Sequence, residues 1–385
     1  MKPISIYIHI PFCIKKCNYC DFLSAPADNR TQEEYLHALN QEIIIHAPYY
    51  LAYEVQTIFI GGGTPTVVPA EGICKVLDII REYYHVSTEA EISMEANPGT
   101  VSKESLRLYK NAGINRLSFG LQSADNKELK CLGRIHTYED FLSTYQMAVD
   151  TGFTNLNVDL MSALPGQIPA DYQNTLRKIV CLSPKPTHIS AYSLIIEEGT
   201  PFYILYGEES KALEHTGEPQ AHLPSEDEER AMYQSTEDIL HGAGYHRYEI
   251  SNYSLPGYEC RHNEVYWRRG NYVGFGLGAS SMVENLRFQN NTDLDLYIIE
   301  PGKIKEQEQL SQKDQMSEFM FLGLRLIEGV NKEDFFGYFG VSMDEIYGKV
   351  LEKNREEGLL VNGHTVTLTT RGLDMSNYVM AQFLL

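Results

Sequence analysis

The sequence runs to 385 residues, enough for one large domain and one small one, because a single hydrophobic core stops growing at about 250–300 residues. Hydrophobic residues at 43% and charged residues at 22% exclude a disordered or fibrous chain, and a formal net charge of -20 sets the average field against phosphate backbones, so nucleic acid is not expected as a partner. No run approaches about 18 uninterrupted apolar residues and Met1 leads straight into a strand pattern, so the expectation is a cytoplasmic protein that is not integral to a membrane.

In chain order, residues 4–9 read as the first strand. Cys13, Cys17 and Cys20 follow it in a C-x3-C-x2-C array, whereas Cys74, Cys131, Cys181 and Cys260 are scattered singly. In a reducing cytosol a tight group of cysteines reads as metal ligation and scattered ones as buried small hydrophobes. Thr31-Gln32-Glu33-Glu34 is a capping-box pattern, and Leu36, Leu39 and Ile43 carry it on at helical spacing. Residues 56–60 form the second strand pattern, ending on Gly61-Gly62-Gly63-Thr64-Pro65. Without side chains, that run lets a ligand's polar group reach backbone N–H donors, although a turn requiring positive φ would use the same residues. Four further strand patterns follow at 91–94, 115–119, 155–160 and 188–194, with helical patterns at 73–80, 106–109 and 141–149 between them.

Strands that alternate with helices give a parallel sheet with crossover helices. An α/β barrel, incomplete with six β/α units, fits this order best, with an open doubly wound sheet as the second choice. In such a barrel the C-terminal strand ends open on one face, which would collect Glu95, Gln122, Asp159 and Tyr192 opposite the cysteine loop. Any one of these polar residues could equally make a structural hydrogen bond. The acidic stretch 207–230 reads as a solvated loop. Gly274, Gly276, Gly278, Ala279 and Ser280 read as a packing loop more readily than as a nucleotide loop. From about 312 onward, helical patterns at 316–327, 332–338 and 343–357, two short strands at 359–361 and 365–368 and a last helix outline a small winged-helix-like domain. The expected division is a barrel domain over 1–300 and the small domain over 301–385.

Three thiolates from one loop can bind three irons of a 4Fe-4S cubane and leave the fourth iron open to a ligand. A zinc site is the competing reading, but zinc normally takes C-x2-C pairs and a fourth ligand. With these motifs in hand, the chain resembles the radical S-adenosylmethionine (SAM) family, and within it the oxygen-independent coproporphyrinogen III oxidase group. The resemblance is carried by Tyr7-Ile8-His9-Ile10-Pro11-Phe12-Cys13, the 61–65 run, Glu95-Ala96-Asn97-Pro98, Ser118-Phe119-Gly120-Leu121-Gln122-Ser123 and Asp159 to Gly166. It implies a TIM-like radical SAM barrel, with the cluster on Cys13, Cys17 and Cys20. It also implies a SAM site lined by Tyr7, Tyr19, Gly62, Gly63, Thr64, Glu95, Gln122, Arg134 and Asp159. Reductive cleavage of SAM to a 5'-deoxyadenosyl radical is the chemistry such a site shields.

Two departures point away from the oxidases: Phe22 stands where a fourth cysteine would extend their array, and the chain starts twelve residues before Cys13, where they carry an extension. Both features resemble the heme chaperone branch of the group, as does Cys260-Arg261-His262-Asn263-Glu264-Val265-Tyr266-Trp267 with its His-Asn-x-x-Tyr-Trp signature. That resemblance implies heme as a third cofactor and a membrane-bound respiratory protein as heme acceptor. Coproporphyrinogen III decarboxylation is the alternative. His262 is the candidate axial ligand, with Cys260 and His9 as other choices, and a plain structural hydrogen bond remains the competing role for His262.

Overall fold

The structure, a computed structural model, describes residues 1–218 and 220–385. Six parallel strands lie side by side in chain order: β1 (Lys2–Ile10), β2 (Tyr53–Gly62), β3 (His85–Ala96), β4 (Arg116–Gln122), β5 (Asn155–Ser162) and β6 (His188–Ser193). Their crossovers carry α1 (Asn29–His46), α2 (Ala70–Tyr83), α3 (Lys103–Asn111), the short α4 (Asn126–Cys131), α5 (Tyr138–Asp150) and α6 (Pro169–Val180). Period-two alternation sorts each strand into two faces. Ile6, Ile8, Ile58, Leu117, Phe119, Val158 and Ile189 pack outward into the main core. Ser5, Thr57, Ser93, Arg116, Ser118, Asn157, His188 and Ser190 fill the other face and are also buried. The barrel interior is therefore polar, unlike the layers of branched apolar residues that usually fill such barrels.

β1 and β6 do not pair with each other, so the barrel stays open. The sheet continues past both: α7 (Pro201–Thr216) and α8 (Glu226–Gly242) lead to the antiparallel pair β7 (His246–Arg247) and β8 (Asn252–Ser254) beside β6. On the other side, after α9 (Arg261–Trp267), β9 (Tyr272–Phe275) pairs parallel with β1. β10 (Ser280–Val283), β11 (Leu286–Asn290), α10 (Leu294–Ile299) and β12 (Ile304–Gln309) then complete a sheet of 12 strands. The last domain holds α11 (Gln312–Gly323), β13 (Val330–Asn331), α12 (Lys332–Phe339), α13 (Met343–Glu356), β14 (Leu360–Asn362), β15 (Thr365–Leu368), α14 (Thr370–Asp374) and α15 (Ser376–Ala381) around a separate core. It is tied to the barrel by the bridge Glu249 to Leu326 and by the bonds Ile250 N to Arg325 O, 3.1 Å, and Ile327 N to Tyr248 O, 3.0 Å.

Several expectations need correction. The stretch 207–230 is mostly helical, lying in α7 and α8. Glu226, Asp227, Glu228 and Glu229 form the first turn of α8 behind the cap Ser225, where the helix dipole favours negative charge. α1 starts earlier than Thr31, because the Asp28 side chain accepts from the Thr31 amide at 2.8 Å and serves as cap. The large sheet runs on through β12 to Gln309, beyond a boundary at 300, because β12 finds its ladder on β11. The 274–280 segment packs tightly: a Cβ on Gly276, which has φ +105°, would lie 2.5 Å from the Tyr35 hydroxyl and 2.6 Å from the His9 carbonyl. Gly274 and Ser280, however, lie in β9 and β10, so the segment is the tight turn of that antiparallel pair and not a separate loop. Among the described residues, no helix is long and apolar enough to cross a membrane.

Candidate cofactor site

The loop between β1 and α1 carries the three clustered cysteines and is held from several sides. Cys13 N donates to Ala25 O at 3.2 Å, Asn18 N to Leu132 O at 2.9 Å, Asn18 Nδ2 to Cys131 O at 2.9 Å, and Phe202 N to Asn18 O at 2.9 Å. The loop thus faces the C-terminal strand ends over a cavity of about 310 Å³. Cys13, Cys17 and Cys20 all line it, with Tyr19, Gly62, Gly63, Thr64, Glu95, Gln122, Arg134 and Asp159. Eleven of the thirteen residues expected at the site meet in one space.

Among the described residues no three His, Cys, Asp or Glu side chains converge as a single metal ion requires. In a cubane each thiolate binds a different iron, and the three thiols that line this one cavity are of the type and number such a cluster takes. Arg134 sets one edge: Nη1 donates to Cys17 Sγ at 3.5 Å, and Nη2 donates to Asn97 Oδ1 at 2.6 Å and to the Gly120 carbonyl. Thr64 Oγ1 donates to Cys13 Sγ at 3.6 Å and accepts from Asn97 Nδ2 at 2.8 Å. Asn97 lies in a motif the sequence offers, yet its bridging of Arg134 to Thr64 is visible only in three dimensions.

The glycine run works differently from the expectation. Gly62 N donates to Glu95 Oε2 at 3.0 Å, Gly63 N to Ile10 O at 2.8 Å and Thr64 N to Phe12 O at 2.7 Å. Those three donors are spent inside the protein, so the run supplies close approach and not N–H groups for a ligand. Gly62 has φ +112°, and a Cβ there would enter the His9 ring at 2.5 Å. Gln122 also has positive φ, 73°, just after a register shift in β4 that turns its side chain toward the cavity.

Glu95 and Asp159 form the acidic floor. Burial lifts the Glu95 carboxyl to about 8, with help from the charge of Asp159 and against the Gly62 N–H. Burial also raises Asp159, against hydrogen bonds from Ser190, Asn157 and Ser118. Such a pair retains a proton at neutral pH until a cationic group arrives to offset it. Phe22, 60% exposed, and Tyr192, 40% exposed, also line the cavity.

Tyr7 and His262 stand apart from this cavity. Tyr7 OH donates to His9 Nδ1 at 3.0 Å, which props the ring beneath Gly62. His262 is 1% exposed, bonded at Nδ1 to Thr57 Oγ1 at 2.7 Å and at Nε2 to Tyr266 OH at 2.9 Å, and stacked on Phe59. Both His262 ring nitrogens are thus engaged within the protein, the structural hydrogen-bonding role that competes with heme ligation. His9 likewise uses both ring nitrogens, and Cys260 is fully buried, its thiol pushed up to about 12.

Residues 7–179 match the Radical SAM superfamily and residues 310–375 the HemN C-terminal domain. Over 386 aligned residues the chain is 37% identical to a Bacillus subtilis protein named heme chaperone HemW, covering 99% of each. The chain belongs to the HemW family of radical SAM proteins. A second HemW, from Escherichia coli, is 34% identical over 90% of this chain and 89% of its own. Among solved structures, the E. coli coproporphyrinogen III oxidase HemN, a radical SAM enzyme, superposes with a TM-score of 0.84. It covers 100% of this chain and 90% of the oxidase at 23% identity, so it establishes the shared fold alone. HemW membership brings with it the radical SAM cofactors, a 4Fe-4S cluster and SAM, for which the three thiols and the acidic cavity are suited.

Proposed function

We propose that this protein is a cytoplasmic heme chaperone that carries a 4Fe-4S cluster and SAM and passes heme to a membrane-bound respiratory acceptor. The reading is carried by full-length similarity to proteins named heme chaperone HemW, together with Phe22 at the position where the oxidases have a fourth cysteine. Cys13, Cys17 and Cys20 would hold the cluster. Tyr19, Gly62, Gly63, Thr64, Glu95, Gln122, Arg134 and Asp159 would hold SAM, with Tyr7 supporting the glycine run from below. A bound cluster supplies an open iron for the methionine amino and carboxylate groups and an electron for reductive cleavage. The protein's own part is to offer Glu95 and Asp159 as acceptors for a cationic ligand, to fix Arg134 against Cys17 and to exclude water.

For heme, the reading assigns a cavity of about 500 Å³ where the end of α9 meets the last domain. Trp267, Phe319 and Tyr338 give it aromatic walls, and Arg268 and Arg269 supply cations at its edge. Of its lining residues only Tyr338 is of a type that ligates heme iron, so the hold on iron would be weak. Weak ligation suits a protein that gives heme away.

The test is an anaerobic comparison of heme and coproporphyrinogen III on the reconstituted protein. Heme should bind with a Soret shift and quench Trp267, the single tryptophan of the chain, while coproporphyrinogen III persists. Turnover of coproporphyrinogen without affinity for heme would overturn the reading.

A further inference from the structure

We propose that Tyr248, His188 and Asn157 form a positioning chain that sets Asp159 for SAM and ties the cofactor cavity to the start of α9. The proposal rests on the assignment of Asp159 to the SAM site. Asn157 lies two residues before Asp159 on β5, and its Nδ2 donates to Asp159 Oδ1 at 2.7 Å and to Ser118 Oγ at 2.7 Å. Ser118 Oγ in turn donates to Asp159 Oδ2 at 3.0 Å. Both carboxylate oxygens are therefore gripped from within the barrel.

The direction of every link follows from that grip. A carboxylate accepts, so the amide atom facing it is nitrogen, and Asn157 Oδ1 must face His188 Nδ1, 2.6 Å away. A carbonyl oxygen only accepts, so His188 carries its proton on Nδ1. Nε2 is then left as acceptor for the Tyr248 hydroxyl at 2.8 Å. The Tyr248 oxygen accepts from Cys260 N at 3.2 Å. Cys260 immediately precedes α9, whose first amides, Arg261 N and His262 N, donate to Glu91 at 3.1 Å and 3.2 Å.

His188, Asn157 and Cys260 are at most 2% exposed, so bulk water cannot replace a lost link. The charged and titratable groups around the chain are Arg116 on β4, Glu91 on β3, Glu249 after β7, and Cys260 and His262 at α9. Burial and the Arg116 charge hold His188 neutral, the form the chain requires. A protonated imidazole would donate at both nitrogens and oppose the Tyr248 hydroxyl proton. Linkage is reciprocal, so whatever SAM does to Asp159 is felt at the Cys260 amide.

Hydrogen exchange on the cluster-loaded protein, with and without SAM, tests this directly. SAM should slow exchange at the Cys260, Arg261 and His262 amides about fivefold or more and leave the β14 amides unchanged. Tyr248→Phe should abolish that protection. In equilibrium dialysis, His188→Leu should weaken SAM binding about tenfold, and His188→Asn, which can still donate to Asn157, should restore most of it. Wild-type protein that binds SAM with no change at residues 260–262 would overturn the chain, whether or not the variants fold. Wild-type protein that fails to bind SAM would instead remove the cofactor-site reading, and this proposal with it.

Discussion

A side chain at Gly63 would stand 3.0 Å from the Cys13 sulfur and 2.6 Å from the Phe12 carbonyl. The glycine run and the cysteine loop are one packed unit, joined also by Gly63 N to Ile10 O and Thr64 N to Phe12 O. Gly63→Val should therefore cost the cluster itself, not only SAM affinity. After anaerobic reconstitution the variant should show less than about a third of the wild-type brown absorbance, since backbone oxygen is not a flexible neighbour that can step aside. Full absorbance with weakened SAM binding would mean that the loop shifts as a body.

His262→Ala removes a ring that satisfies Thr57 and Tyr266 and stacks on Phe59. The loss of packing and of two buried hydrogen bonds should cost about 2–4 kcal/mol in urea unfolding. The Soret position of bound heme should stay where it is in the wild type. A displaced Soret band in a stably folded variant would return His262 to the iron.

The parallel half of the fold was legible because 4–9, 56–60 and 155–160 are short apolar runs between helical patterns, and the strand-end residues Glu95 and Asp159 follow from that order. The face each residue takes was less so: polar residues such as Arg116, Asn157 and His188 look solvent-facing in a sequence but fill the barrel. β9 to β12 escape the sequence pattern because they are only four to six residues long and are separated by turns that contain Gly and Asn. Acidic composition hid α8, since charge at a helix start is compatible with both loop and helix. His262 carries a recognisable signature, yet nothing in its neighbours announces that Thr57 and Tyr266 occupy its nitrogens.

Glu318 joins the last domain to the barrel through Arg269 at 3.0 Å and Arg287 at 2.5 Å, and the Arg269 side chain is only 8% exposed. Removing one partner of a buried pair leaves the other charge without compensation. Glu318→Ala should cost about 3–5 kcal/mol in urea unfolding, and Glu318→Gln, which keeps a hydrogen-bond acceptor, less. A loss below about 1 kcal/mol for the alanine variant would mean that both arginines find water.

His136 offers a pH-dependent test with a defined sign. Burial, and then the Arg134 charge, push it down to about 4 from its ordinary value of 6.5, so the folded protein holds it neutral where the unfolded chain would protonate it. Its contribution is present in full above pH 6.5 and is lost as pH falls through the window to about 4. Each unit of that gap corresponds to about 1.4 kcal/mol, so between pH 7.5 and 4.5 the expected loss is about 2–3 kcal/mol. The wild-type curve alone does not isolate this. Glu42 and Glu95, raised to about 7 and about 8, bind protons more tightly in the folded state and push stability the opposite way over part of the same range. Subtracting the His136→Gln curve removes them, because both proteins keep those carboxyls. Measured by urea unfolding in half-unit steps, the wild-type advantage over His136→Gln should shrink by about 2–3 kcal/mol on acidification. A constant difference across the window would show that His136 takes up its proton in the folded protein as readily as in the unfolded chain.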